Sequence, residues 1–143
     1  MQISQVLRHK SGEVATIDGA ESVRTALAAL AEHRIGALVV SSDGQQVEGI
    51  VSERDIVRGL DVHGAGLLTE PVSSVMTAEV RTCTLDVSVH DLAQLMTDHR
   101  IRHVPVVEDG KLIGIVSIGD VVKARLDELE DERQHMVDYI QTV

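Results

Sequence analysis

The sequence predicts an α/β sandwich: two β-α-β-β-α units related by a pseudo-two-fold axis, followed by a long C-terminal helix. Three observations lead there. The first is an internal repeat. Gly49-Ile50-Val51-Ser52-Glu53-Arg54-Asp55-Ile56-Val57-Arg58 returns as Gly114-Ile115-Val116-Ser117-Ile118-Gly119-Asp120-Val121-Val122-Lys123, a shift of 65 residues from 49 to 114. Upstream, His33-Arg34-Ile35 returns as His99-Arg100-Ile101 at a shift of 66, and the slip falls in a turn, where Ser41-Ser42-Asp43-Gly44-Gln45 is longer than Glu108-Asp109-Gly110-Lys111. A repeat whose single slip lies in a glycine turn marks a duplicated folding unit. The second observation is that short apolar runs alternate with stretches of helical periodicity in the same order in both copies. The third is that the chain has no Trp, no Phe and a single Tyr, so both cores are aliphatic.

In the first unit, Val14-Ala15-Thr16-Ile17 is a short strand ended by Gly19. Ser22 caps a helix whose inward positions are Val23, Ala26, Leu27 and Leu30. Ala37-Leu38-Val39-Val40 is a buried strand, Asp43-Gly44 a turn, and residues 47–51 the return strand. Ser52 opens a second helix with Ile56, Val57 and Leu60 inside. The second unit repeats this with Val80-Arg81-Thr82-Cys83 as the short strand and Ser88 capping Val89, Leu92, Ala93 and Met96. A hairpin follows, from His103 to Val107 and Leu112 to Val116 around Asp109-Gly110, and a helix starts near Ile118. Between the units, Leu60 to Pro71 is a loop and Val72-Ser73-Ser74-Val75-Met76 a helical lead-in, with Ile3-Ser4-Gln5-Val6-Leu7 its counterpart. The last helix runs to about Ile140 and carries an apolar stripe, Val122, Leu126, Leu129, Met136 and Ile140, that packs within the chain or on another subunit.

Composition excludes several functions. Lys plus Arg is 13 against 23 Asp plus Glu, a formal charge of −10, which repels a phosphate backbone, and the missing aromatics remove the usual base-stacking platform. A nucleic-acid partner is therefore not expected. The acidic run of Asp127, Glu128, Glu130, Asp131 and Glu132 reads as a solvated helix face. Cys83 is alone, so there is no internal disulfide and no cysteine zinc motif. The N-terminus lacks a charged-then-apolar signal pattern, and no apolar run approaches the roughly 18 residues of a membrane span. The expectation is a cytoplasmic protein with no membrane contact. His33 and His99 repeat at helix ends, where positive charge is welcome. His99 and His103 are spaced H-x-x-x-H, but the second lies on a strand, which gives no shared helical face for a metal. No P-loop or dinucleotide-binding glycine pattern occurs, and Cys83 has no indicated base. A binding module is expected rather than an enzyme.

The residues with chemical potential sit at the two strand–helix junctions. Ser52-Glu53-Arg54-Asp55 and Ser117-Ile118-Gly119-Asp120 have the form of a capping box, in which a Ser and an acid three residues on satisfy free N–H groups. The same groups suit a nucleotide: a carboxylate accepts two bonds from a ribose diol, and a helix N-terminus with a Ser hydroxyl receives phosphate. Arg54 and Arg102 are able to add charge-assisted bonds.

These junctions, of the form Gly-Ile-Val-Ser-x-x-Asp, together with His99-Arg100-Ile101-Arg102-His103-Val104-Pro105-Val106-Val107, resemble the cystathionine-β-synthase (CBS) domain. The tandem pair resembles a Bateman module, with residues 2–66 as the first CBS domain, 67–126 as the second and 127–143 as an extension of the C-terminal helix. The resemblance implies a regulatory sensor that clamps an adenosine nucleotide, AMP first and otherwise ADP, ATP or NAD. It implies that Asp55 and Asp120 take the ribose hydroxyls, Ser52 and Ser117 meet ribose or phosphate, and Ile50 and Ile115 line the adenine. Thr16 and Thr82 would contact the base edge or nearby backbone, and Arg102 stands where some members bind phosphate. Gly36 replaces that arginine in the first unit, Leu38 replaces Pro105, and Gly119 stands where Arg54 does, so the two clefts are expected to differ. The resemblance also implies a homodimer and a further protein partner. The rival reading is a ligand-free interaction module whose Ser/Asp pairs only cap helices.

Overall fold

The computed structural model describes residues 1–10 and 13–142; Ser11, Gly12 and Val143, which the segmentation above includes, lie outside the described residues. In chain order the elements are α1 (Ile3–Arg8), β1 (Thr16–Ile17), α2 (Val23–His33), β2 (Ala37–Val40), β3 (Gly49–Ser52), α3 (Glu53–His63), α4 (Val89–His99), β4 (His103–Glu108), β5 (Lys111–Ser117) and α5 (Ile118–Thr142). One sheet has the order β1-β2-β3, with β1 parallel and β3 antiparallel to β2, and the other is the β4-β5 hairpin. Helices pack on each sheet, α2 and α3 on the first and α5 and α1 on the second, an α/β sandwich in duplicate.

Local chemistry sets the helix ends as expected. Ser22 and Ser88 accept the backbone N–H of Thr25 and Asp91 and so cap α2 and α4. Both helices end on an arginine in the left-handed region, Arg34 (φ 53) and Arg100 (φ 54). The buried faces are Val23, Ala26 and Leu30 in α2 and Val89, Leu92 and Met96 in α4. Fully burying such an aliphatic side chain contributes about 1.5–3 kcal/mol.

One strand expectation and one loop expectation change. Residues 80–83 form no strand; Cys83 alone makes a parallel bridge to Val106. The hydrogen bonds give the reason. In the first unit the Val39 N–H donates to the Ala15 carbonyl and the Ser41 N–H to Ile17. In the second, the Val107 N–H donates to Cys83, and Pro105 stands where Val39 does but has no N–H to give. This register pairs Pro105 with Val39 rather than with Leu38. The expected loop from Leu60 to Pro71 is also helical: α3 runs on to His63, and a 3-10 helix, Gly64–Thr69, carries Leu67 into the core. Val57, expected inside, is 65% exposed, because it lies on the outer side of α3 from Ile56.

The two cores are completed reciprocally. Ile3 and Val6 of α1 pack among Val89, Leu92, Val104 and Val116 of the second unit. Leu67 and Val72, which open the second unit, pack among Val23, Leu38 and Ile56 of the first. Each lead-in thus serves the other unit's core. Two glycines make the close approach possible: a Cβ at Gly114 would lie 2.8 Å from Leu7 Cδ1, and one at Gly49 would lie 2.6 Å from Met76 Sδ. This exchange places a lead-in beside each strand–helix junction.

Candidate functional site

Both junctions fold as capping boxes. The Ser52 N–H and hydroxyl donate to Asp55 Oδ2 at 2.9 and 3.0 Å, and Ser52 Oγ accepts the Asp55 N–H at 3.2 Å. In the second unit the Ser117 N–H donates to Asp120 Oδ2 at 2.9 Å and Ser117 Oγ accepts the Asp120 N–H at 3.2 Å. Ser52 and Asp55 of the first box line one cleft between the two units, and Ser117 of the second box lines another. The volumes, about 540 and 810 Å³, are those of small-molecule sites.

The first cleft brings together Ile50, Ser52, Arg54 and Asp55 from the first unit and Arg102 from the second, five of the residues singled out in the sequence. It adds Arg58, Arg81 and Arg100, so five arginines of an acidic protein face one space. Glu53 and Glu79 also line it. A cleft with this excess of guanidinium groups concentrates anions. Arg102 therefore lines the same cleft as Asp55 of the other unit.

The second cleft holds Ile115 and Ser117 with Lys10, Arg34, Ala15 and Val14. Asp120 meets it through Lys10, whose ammonium donates to Asp120 Oδ2 at 2.8 Å and to the Ile115 carbonyl at 2.8 Å. Burial pushes the Asp120 carboxyl up, but the Lys10 and Ser117 hydrogen bonds and the Lys10 charge outweigh it and hold the group below the usual carboxylate range. Thr16 and Thr82 line neither cleft. Thr16 is exposed and pairs with Val39, Thr82 is exposed beside Cys83, and the residues just before them, Ala15 and Arg81, face the clefts instead.

His103 lines both clefts. A Cβ on Gly36 would come within 3.3 Å of its ring, so the missing side chain at position 36 is what admits the imidazole. Burial lowers its pKa, Arg102 and Lys10 lower it further, and Glu53 and Asp120 oppose them. Cys83 is buried, and burial pushes its thiol up to about 11, so it is a poor nucleophile. Lys10, Arg58, Arg81 and Glu79 were not anticipated. Arg34 and Arg100 lay in the His-Arg-Ile repeat, whose recurrence was the available signal.

The comparisons with known proteins fit this geometry. The CBS domain family model matches residues 3–61 and 72–127. The chain belongs to the CBS domain family. The mitochondrial CBS domain-containing protein CBSX3 of Arabidopsis thaliana is 42% identical over 125 residues, covering 85% of this chain and 61% of that protein. The chain thus spans less than two thirds of that relative's length. A CBS-domain containing protein from Agrobacterium tumefaciens superposes with a TM-score of 0.84 at 43% identity, covering 87% of this chain and 99% of the other. Two similar CBS structures hold adenosine compounds. A protein from Pyrobaculum aerophilum complexed with AMP has TM-score 0.75 and 28% identity over 84% of this chain and 89% of its own. The CBS domain pair of protein MJ0100, in complex with 5′-methylthioadenosine and S-adenosyl-L-methionine, has TM-score 0.78 and 25% identity over 90% and 98%. Among the described residues of this CBS pair, no helix is long and apolar enough to cross a membrane.

Proposed function

We propose that this CBS pair is a non-catalytic sensor of an adenine nucleotide, with the first cleft as its principal site. One observation carries the reading: Ser52 and Asp55 share a single cleft with five arginines drawn from both units. The adenine lies along Ile50, Asp55 takes the ribose diol, and Arg54 and Arg102, with the arginines beside them, meet the phosphate. AMP is the first candidate, with ADP, ATP and NAD as alternatives. A ligand there touches both units, so it favours the arrangement in which they are drawn together and shifts the population of any surface that depends on it. The complexes of AMP and of S-adenosyl-L-methionine with similar CBS proteins support an adenosine-type ligand.

The exposed face of α5 supports a homodimer. Leu126, Leu129, Met136 and Ile140 remain outside the core, and Val57 of α3 is exposed as well. An apolar stripe of this length is a surface that soluble monomers avoid, and two-fold pairing covers it. A further protein partner is compatible with the same face.

A second reading has one observation in its favour: both Ser/Asp pairs form complete capping boxes from the chain's own groups. In that case the pair is an interaction module. Thermal unfolding decides. A ligand at a hundredfold excess over its dissociation constant stabilises by about 2.7 kcal/mol, which raises the midpoint by roughly 5–11 °C. No shift with millimolar AMP, ADP, ATP or NAD leaves the capping reading in place.

A further inference from the structure

Among the matched positions at which the two clefts differ in charge, one lies on the lead-ins. Leu7 packs on Gly114 as Met76 packs on Gly49. Counting on three residues from each pairs Lys10 with Glu79, and each lines its own cleft.

Backbone hydrogen bonding separates the two positions. At the first cleft the Ile50 carbonyl accepts the Thr77 N–H at 2.8 Å, so the strand edge is satisfied by backbone. Asp55 Oδ2 then serves only its own box, accepting from Ser52. At the second cleft the segment after α1 keeps turning, with the His9 and Lys10 N–H groups donating back to Val6 and Leu7. The Ile115 carbonyl is met instead by the Lys10 ammonium, and the same ammonium takes Asp120 Oδ2. The ion pair is partly screened from water, with the Lys10 and Asp120 side chains 37% and 23% exposed.

We propose that Lys10 is a specificity-determining residue that masks the second cleft: its ammonium takes the carboxylate a ribose needs, so the chain loads a nucleotide at Asp55 and excludes a nucleoside at Asp120. This rests on the reading of the junction carboxylates as ribose ligands. Asp120 Oδ1 accepts no hydrogen bond among the described residues, as Asp55 Oδ1 does not, so the mask acts through charge and space: a diol arriving at Asp120 meets a carboxylate already paired with an ammonium that itself lines the cleft. The Glu79 carboxylate, in the matched place, cannot compete for Asp55 in this way, because like charges repel.

Calorimetry on the full chain tests the mask, with adenosine as the probe so that no phosphate contact contributes. Asp55→Asn removes the first cleft from the measurement. Lys10→Met added to Asp55→Asn is expected to bind adenosine about tenfold tighter or more than Asp55→Asn alone, the worth of one charge-assisted bond. Adding Asp120→Asn as a third change is expected to abolish the gain. Lys10→Gln, which keeps a donor for the Ile115 carbonyl without the charge, replaces Lys10→Met if the latter does not fold. Equal or weaker adenosine binding after the Lys10 change overturns the mask. So does a wild-type chain that binds two adenosines with equal affinity. Failure of the wild-type chain to bind adenosine or AMP at all overturns the nucleotide reading, and the mask with it. Loss of AMP binding in Asp55→Asn alone establishes that reading independently of Lys10.

Discussion

Replacing Asp55 separates the binding role of the first junction from its role as a helix cap. The carboxylate accepts the Ser52 N–H and hydroxyl through Oδ2, while Oδ1 accepts no hydrogen bond among the described residues and is available to a ligand. In Asp55→Ala the bond from the residue 55 N–H to Ser52 Oγ survives, so half of the capping box is kept. The loss is about 1 kcal/mol of stability, which lowers the unfolding midpoint by about 2–4 °C for a chain of this size. The effect on binding is larger. Each hydrogen bond to a charged group contributes about 1.5–3 kcal/mol, so loss of a single ribose bond weakens AMP by about 10–150-fold. Asp55→Asn makes the distinction. Its amide oxygen still accepts the Ser52 N–H, so the midpoint stays close to wild type, while the loss of charge weakens the ribose contacts. The assay is calorimetric titration of AMP into wild type and both variants, with unfolding of each in the absence of nucleotide. Two variants that bind AMP with wild-type affinity, one of them with a lowered midpoint, would falsify the ribose assignment and leave Asp55 as a helix cap.

Arg102→Ala is expected to weaken AMP about tenfold or more while sparing adenosine; equal losses for both, measured by the same titration, remove Arg102 from phosphate binding. His103 provides a pH test. Its folded pKa lies below its ordinary value of 6.5, so the unfolded chain takes up that proton first as the medium is acidified. The stability linked to His103 is complete above pH 6.5 and is lost as pH falls from there through the folded pKa. His103→Gln should flatten that part of the profile of unfolding midpoint against pH, and an unchanged profile contradicts the burial of the ring. Light scattering is expected to report twice the 15.5 kDa chain mass, with a weaker dimer when the chain is cut before Asp127; a monomer at tens of micromolar, with and without AMP, refutes pairing through α5.

The duplication, the order of the elements and the junction motifs were legible in the sequence because they are local. Ser22, Ser52 and Ser88 each cap the helix that follows them, and the capping geometry spans only a few residues. Apolar periodicity likewise placed Val23, Ala26 and Leu30, and Val89, Leu92 and Met96, on inward faces. Where periodicity left a choice, the tertiary environment made it: Val57 is apolar yet faces out, since α3 has one side against the core and Ile56 takes it. The missing strand at residues 80–83 depended on a residue 24 positions beyond Arg81, Pro105, which has no N–H to offer the Arg81 carbonyl.

The sequence by itself determined that the chain is a tandem CBS pair with a Ser-x-x-Asp box at each strand–helix junction, because those features are written in contiguous residues. Only the tertiary structure decided which residues share a cleft. The exchange of the lead-ins puts Ile3 and Val6 into the second unit's core and Lys10 against Asp120 and Ile115, contacts that no local pattern encodes. The pairing of the units puts Arg102 in the same cleft as Asp55 and gathers five arginines from separate segments into one space. Charge acts through distance in three dimensions, so an acidic chain of net charge −10 holds a cationic cleft that its composition does not reveal.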